Sequence, residues 1–185
     1  NHQGDVLLGA LGQKRMLARA RWCSCKAPAP FRIEHANVSV RPNGATNGSD
    51  VMFVRSTDHG VTFSTPKRVN DDPVNQNKWH WFGTLAVAPN GRIDSVWFDT
   101  RNAANNTDSQ LFYSYSMDGG DTWSPNVAVS NSFNPFVGYP MQSKMGDYIT
   151  IVSDATGGNV AYAATFNVNP NAVGGHEQDV YYVRV

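Results

Sequence analysis

Apolar and polar positions alternate with a period of two along short runs, and clusters of Gly, Asn, Asp, Ser and Pro separate the runs. That rhythm predicts strands joined by turns. The clearest unit reads as four strands, at 83–88, 93–98, 110–116 and 126–129, with Pro89-Asn90-Gly91 turning the chain and a long polar loop over 99–109. Further strands are predicted at 148–152, 160–166 and 180–185. The first thirty residues break the rhythm. Residues 13–22 read as a short basic helix with Met16, Leu17 and Ala20 on one side, and Ala27-Pro28-Ala29-Pro30 reads as a stiff linker. The expected organisation is a basic leader over 1–30, helical or disordered, followed by one all-β unit over 31–185.

The β region repeats itself. Residues 50–64 (DVMFVRSTDHGVTFS) and 110–124 (QLFYSYSMDGGDTWS) both fit S-x-D-x-G-x-T-[FW]-S behind an apolar run, 60 residues apart. A third copy opens at Asp179, and Pro42-Asn43-Gly44 repeats Pro89-Asn90-Gly91. Repeats of this size, built from short strands, indicate β-propeller blades. The first blade is short: Pro42 to Ser56 spans 14 residues where Pro89 to Ser116 spans 27. One strand and its loop are missing there, so either a distant N-terminal segment such as 5–11 supplies it or the unit is truncated. The count is about two and a half blades, fewer than the roughly four a closed propeller needs. Self-association is one way to cover the sheet edges this leaves.

Composition narrows the function. Fifteen basic and fifteen acidic residues cancel, which argues against nucleic-acid binding. The charge is unevenly spread, with Lys14, Arg15, Arg19, Arg21 and Lys26 against Asp5 leaving +4 on residues 1–26 and −4 on the rest. No run of about 18 apolar residues exists to form a helical membrane span. Cys23 and Cys25 are too close for an unstrained disulfide and too few for a zinc site, and no cofactor is expected. Asp118-Gly119-Gly120-Asp121 lacks the ligand spacing of a calcium loop. Sequons at Asn37, Asn47 and Asn105 carry little weight in an Asn-rich chain.

The repeated turn has a structural job. Ser56, Asp58, Gly60 and Phe63, like Ser116, Asp118, Gly120 and Trp123, combine a turn-capping carboxylate, a glycine free to take positive φ and an aromatic that packs back on the sheet. In an up-and-down blade these turns share one face, the back, with the Pro-Asn-Gly turn. The front then carries the loops between second and third strands and the approaches to each first strand. Trp79, His80, Trp81, Phe82, Asp99, Arg101, Asp108, Tyr139, Asp147, Tyr148, His176 and Glu177 fall there. Aromatics beside carboxylates and an arginine suit a glycan. The same residues also allow plainer readings: Trp81 and Phe82 as core, Asp99 with Arg101 as a structural pair, His80 and His176 as exposed rings.

S-x-D-x-G-x-T-W is similar to the Asp box of the sialidase superfamily, also called the BNR repeat. The resemblance covers roughly residues 36–185 and implies part of a six-bladed β-propeller, with the boxes away from the substrate pocket. It implies a secreted or periplasmic protein acting on a glycan or glycoconjugate. Residues 97–101 and the loop to Asp108 resemble the acidic-loop segment, which implies Asp108, or Asp99, as proton donor and Arg101 as a substrate contact. Phe31-Arg32-Ile33-Glu34 resembles the segment that supplies the first substrate arginine, departing at Glu34. Trp79, Trp81, Asp147 and Tyr148 complete the binding set. A full arginine triad and a Tyr–Glu pair are not found, so two functions stay open: an exo-glycosidase of terminal sialic or related acidic sugars, and a non-catalytic glycan- or protein-binding propeller or fragment.

Overall fold

The computed structural model describes residues 21–24, 34–40, 48–74, 77–138, 145–146 and 149–185, the first two stretches as backbone alone. Its strands form three antiparallel sheets. The first contains β1 (Arg21–Ser24), β2 (Glu34–Val40), β3 (Asp50–Ser56) and β4 (Lys67–Arg68); the second β5 (His80–Val87), β6 (Ile93–Asp99), β7 (Gln110–Ser116) and β8 (Val127–Ala128). The third contains β9 (Thr150–Asp154), β10 (Gly157–Ala164) and β11 (Asp179–Arg184). Each sheet is an up-and-down meander in chain order, the architecture of propeller blades, and the described residues do not close a ring.

The first sheet corrects the reading of a defective blade. Arg21–Ser24 pairs with Glu34–Asn37 and brings the sheet to four strands. The missing strand therefore comes from within the segment read as leader, and Arg21 and Trp22, expected at a helix end, are extended. Four residues are too few for alternation to register as a strand. The rest of the expected helix, the 5–11 strand, Pro42-Asn43-Gly44, Arg32, Tyr139, Asp147 and Tyr148 lie outside the described residues.

The second sheet packs on both faces, so all seven residues of β6 are buried, Asp94, Ser95 and Asp99 among them. Leu85, Ile93, Trp97 and Phe112 pack on Val51, Phe53 and Val69 of the first sheet. On its other face Val96, Phe98 and Leu111 pack on Ile151, Val160 and Tyr162 of the third. β5 begins three residues before the expected start because a bulge between Trp81 and Thr84, with Phe82 at φ 55°, hides the strand's period.

The repeated turns are nearly superimposable in their bonding. Ser56 Oγ donates to Asp58 Oδ1 (2.7 Å) and accepts from Gly60 N–H (2.8 Å). Asp58 accepts Thr62 N–H (2.8 Å) and Thr62 Oγ1–H (2.5 Å). Ser116, Asp118, Gly120 and Thr122 repeat the set at 2.8, 2.8, 2.8 and 2.5 Å. The hydroxyl of Thr62, its amide and the Ser56 hydroxyl together hold the Asp58 pKa at about 2, so the carboxylate stays charged at any ordinary pH. The second turn also clasps the first sheet: Arg55 Nη1 donates to Gly119 O (2.8 Å), Lys67 Nζ to Asp121 O (2.6 Å), and the Trp123 ring meets Phe53 edge-on at 5.3 Å. At the next seam Arg92 donates to Asp154 O (3.0 Å) while paired with buried Asp94. Each seam thus has an arginine fastening the back of one sheet to a turn of the next.

Candidate functional site

β5 and β7 run from front to back and β6 returns, so loop 100–109, the connector stretches 69–74, 77–79 and 129–138, and loop 165–178 all gather at the front. Two groups of polar residues sit there, one sunk in a seam and one at the surface.

The sunken group centres on His80 at the start of β5, paired with Asp99 at the end of β6. Sequence reasoning read His80 as an exposed ring; it is 1% exposed. Its Nε2 lies 3.0 Å from Asp72 and 3.3 Å from Asp99, and its Nδ1 contacts Ser49 O. Asp99 is fully buried. It accepts from Trp97 Nε1 (3.0 Å), Arg101 Nε (2.8 Å) and the Arg101 backbone N–H (2.7 Å). The Arg101 guanidinium also meets Asp71 (2.5 Å), Asp72 (3.4 Å) and Asn126 Oδ1 (2.9 Å), and lies over the Phe112 ring. Arg68 bonds Asp50 (2.9 Å) and Asp72 (3.2 Å). Asn70, Asp71 and Asp72 were missed by sequence reasoning. The signal available was the Asn-Asp-Asp run before Pro73, which resembles any polar loop.

Burial alone would lower the imidazole pKa, but the hydrogen bonds and charges of Asp72 and Asp99 outweigh it and lift it from 6.5 to about 9. Burial likewise opposes the charge on Asp99, and the hydrogen bond and charge of His80, then Arg101 and Trp97, overcome it and hold that pKa below normal. Because the His80 pKa is raised on folding, its contribution to stability is complete below pH 6.5 and is lost as pH climbs through about 9. The expected result is a melting temperature that falls across that window, with the fall reduced in His80→Gln; equal slopes in the two proteins would exclude the ion cluster as its source.

The surface group differs in kind. Trp79 is 41% exposed, its backbone tied to Thr100 by N–H to Oγ1 (2.9 Å) and by the Thr100 N–H to its carbonyl (3.0 Å). Trp81 is turned inward, tilted against Phe98 at 4.5 Å, with Nε1 donating to Ser109 Oγ (3.2 Å). Lys78 pins loop 100–109 through Ala103 O (2.8 Å) and Asn106 Oδ1 (2.5 Å). Asp108 stands at the end of that loop, half-buried. Its N–H is capped by Asn105 Oδ1 (3.0 Å), and its own Oδ1 is buried without a hydrogen-bond partner. His176 bonds Thr165 O (2.9 Å), and Glu177 accepts from Asn169 (2.7 Å). The structure brings Asp99 and Arg101 together in the seam and holds Asp108 apart from them at the surface.

Blades of this kind, with serine–aspartate turns on the back and long polar loops in front, define a sialidase-like fold. Among solved structures the chain is similar to the Hadza microbial sialidase Hz136, at a TM-score of 0.51 and 17% identity, over 82% of this chain and 32% of that one. It is also similar to an N-acetylgalactosamine deacetylase from F. plautii, solved with a blood group B trisaccharide, at a TM-score of 0.46 and 20% identity over 84% of this chain. The chain spans about a third of the sialidase and 46% of the deacetylase. No protein-family model matches it, and no curated protein does. Among the described residues no helix is long and apolar enough to cross a membrane.

Proposed function

We propose that the chain recognises glycans through its front face, with Trp79, Asp108 and the surrounding amide-rich loops as the contact surface. The observation that supports this reading most is the division of the polar residues. Asp99 and Arg101 neutralise each other inside the seam, where they position β5 and β6. Asp108 stands half-buried at the end of the front loop, outside that ion cluster, where its carboxylate can accept from a sugar hydroxyl. An exposed indole supplies the flat apolar face against which a pyranose C–H face stacks. In this reading the Asp58 and Asp118 turns serve the fold alone, and glycan encounter goes with a secreted or periplasmic location.

A glycan array probed with the intact chain tests it. Retention of at least one oligosaccharide is expected, weakened roughly tenfold or more in Asp108→Ala and in Trp79→Ala, since each would remove about 1–2 kcal/mol of contact. Retention unchanged in both variants would overturn the assignment of the face.

The half-buried Asp108 carboxylate on the front loop also favours a second reading, hydrolysis of a terminal sialic or related acidic sugar with Asp108 as proton donor. Arg32, Asp147 and Tyr148 would join it as substrate contacts. Turnover of a fluorogenic sialoside that Asp108→Asn abolishes is the expected result; the same rate in both proteins would remove Asp108 from that role.

A further inference from the structure

Connector 129–138 holds an aromatic side chain out into solvent on a rigid mount. Phe133 is buried, bridged through its backbone to Ser109 (2.9 and 3.0 Å), with its ring edge-on to Phe98 and Phe166. Asn134 then turns the chain: its Oδ1 accepts Phe136 N–H (2.9 Å) and its carbonyl accepts Thr165 Oγ1–H (2.8 Å). Gly138 N–H donates to Val173 O (2.8 Å), and Gly174 at φ 74° leaves no room for a side chain, since a Cβ there would lie 2.4 Å from Val137. Between these anchors Phe136 is 64% exposed. The connector contains no charged residue, and the amides of Asn131, Asn134, Asn167 and Asn171 are exposed on it and on the facing loop.

A phenyl ring in water forfeits the burial that normally holds such a side chain inside, and a fixed backbone prevents this one from folding away. We propose that Phe136 is a stacking platform for a sugar unit beyond the one held near Asp108, so that the ligand is an oligosaccharide or glycoconjugate rather than a free monosaccharide. The exposed amides beside the ring supply donors and acceptors for sugar hydroxyls, and the connector that holds the ring carries no charge. The two residues also belong to one loop cluster: Ser109 adjoins Asp108 and is bridged to Phe133, three residues before Phe136. The proposal rests on the glycan reading of the front face.

The test compares wild type, Phe136→Ala and Phe136→Tyr on an array of immobilised acidic and neutral oligosaccharides, with the matching free monosaccharides as competitors. Phe136→Ala is expected to lose about tenfold in affinity for the oligosaccharide while the monosaccharide competes with the residual binding as well as before, and Phe136→Tyr is expected to restore the loss. Equal retention by wild type and Phe136→Ala would overturn the platform and leave the glycan reading standing. A wild-type chain that retains no glycan would overturn both. Unchanged thermal unfolding in Phe136→Ala, expected for an exposed ring, separates lost contact from lost fold.

Discussion

Asp99→Ala is expected to cost about 3–5 kcal/mol of folding stability, the largest effect of any single change at the front of the molecule. The carboxylate is fully buried and takes hydrogen bonds from Trp97 and Arg101 while facing His80. Removing it leaves buried His80 with one of its two anions and strips Arg101 of the carboxylate on its inner side. A loss of that size is a large part of the 5–15 kcal/mol available to a typical domain. Urea denaturation of the variant should show the midpoint fall with the slope retained, and the alkaline fall in melting temperature should shift because the imidazole loses one of its two anions. A cost under about 1 kcal/mol would mean that the cluster is not holding the seam.

The second large effect belongs to the back of the same seam. Gly120 sits at φ 90°, and a Cβ on it would stand 2.1 Å from Cε1 of Phe53. Gly120→Ala therefore meets two penalties, about 1–2 kcal/mol for the left-handed backbone and about 1–3 kcal/mol for forcing an aromatic ring out of a packed interface. Gly119→Ala, also at positive φ, meets only the end of the Arg55 side chain at 2.9 Å and should cost less. Chemical denaturation of the pair checks the order. If Gly119→Ala proved the worse variant, the second turn would not be closing on the first sheet.

What the sequence displayed follows from how local each feature is. The β6 and β7 strands, the Pro-Asn-Gly hairpin and the serine–aspartate turns are set by residues within a few positions of one another, so their pattern is readable without the fold. β1 was hidden because four residues carry too little period, and the start of β5 because a bulge at Phe82 breaks it. The seam cluster was half visible. Asp99 and Arg101 are neighbours in the chain and suggested a pair, whereas His80 meets Asp99 only through the β5–β6 strand pairing and Asp71 and Asp72 reach them only from the connector that leaves the first sheet. Burial is what turns His80 from a surface ring into a charged strut, and nothing in the residues around it announces burial. Asp108 and Trp79 fell on the expected face because propeller topology alone assigns loops to front or back. Phe136 did not stand out because a lone Phe in a predicted loop looks like any core residue until its exposure is seen.

The central claim is that the front loops bind a glycan while the seam and back turns only carry the fold. Amide NMR spectra of the intact chain, recorded while an oligosaccharide retained on the array is added, test it most directly. Shifts concentrated in residues 100–109, 129–138 and 165–178, with the turns around Asp58 and Asp118 unmoved, are the predicted result. Shifts centred on those back turns, or spectra unchanged at millimolar sugar, would contradict it.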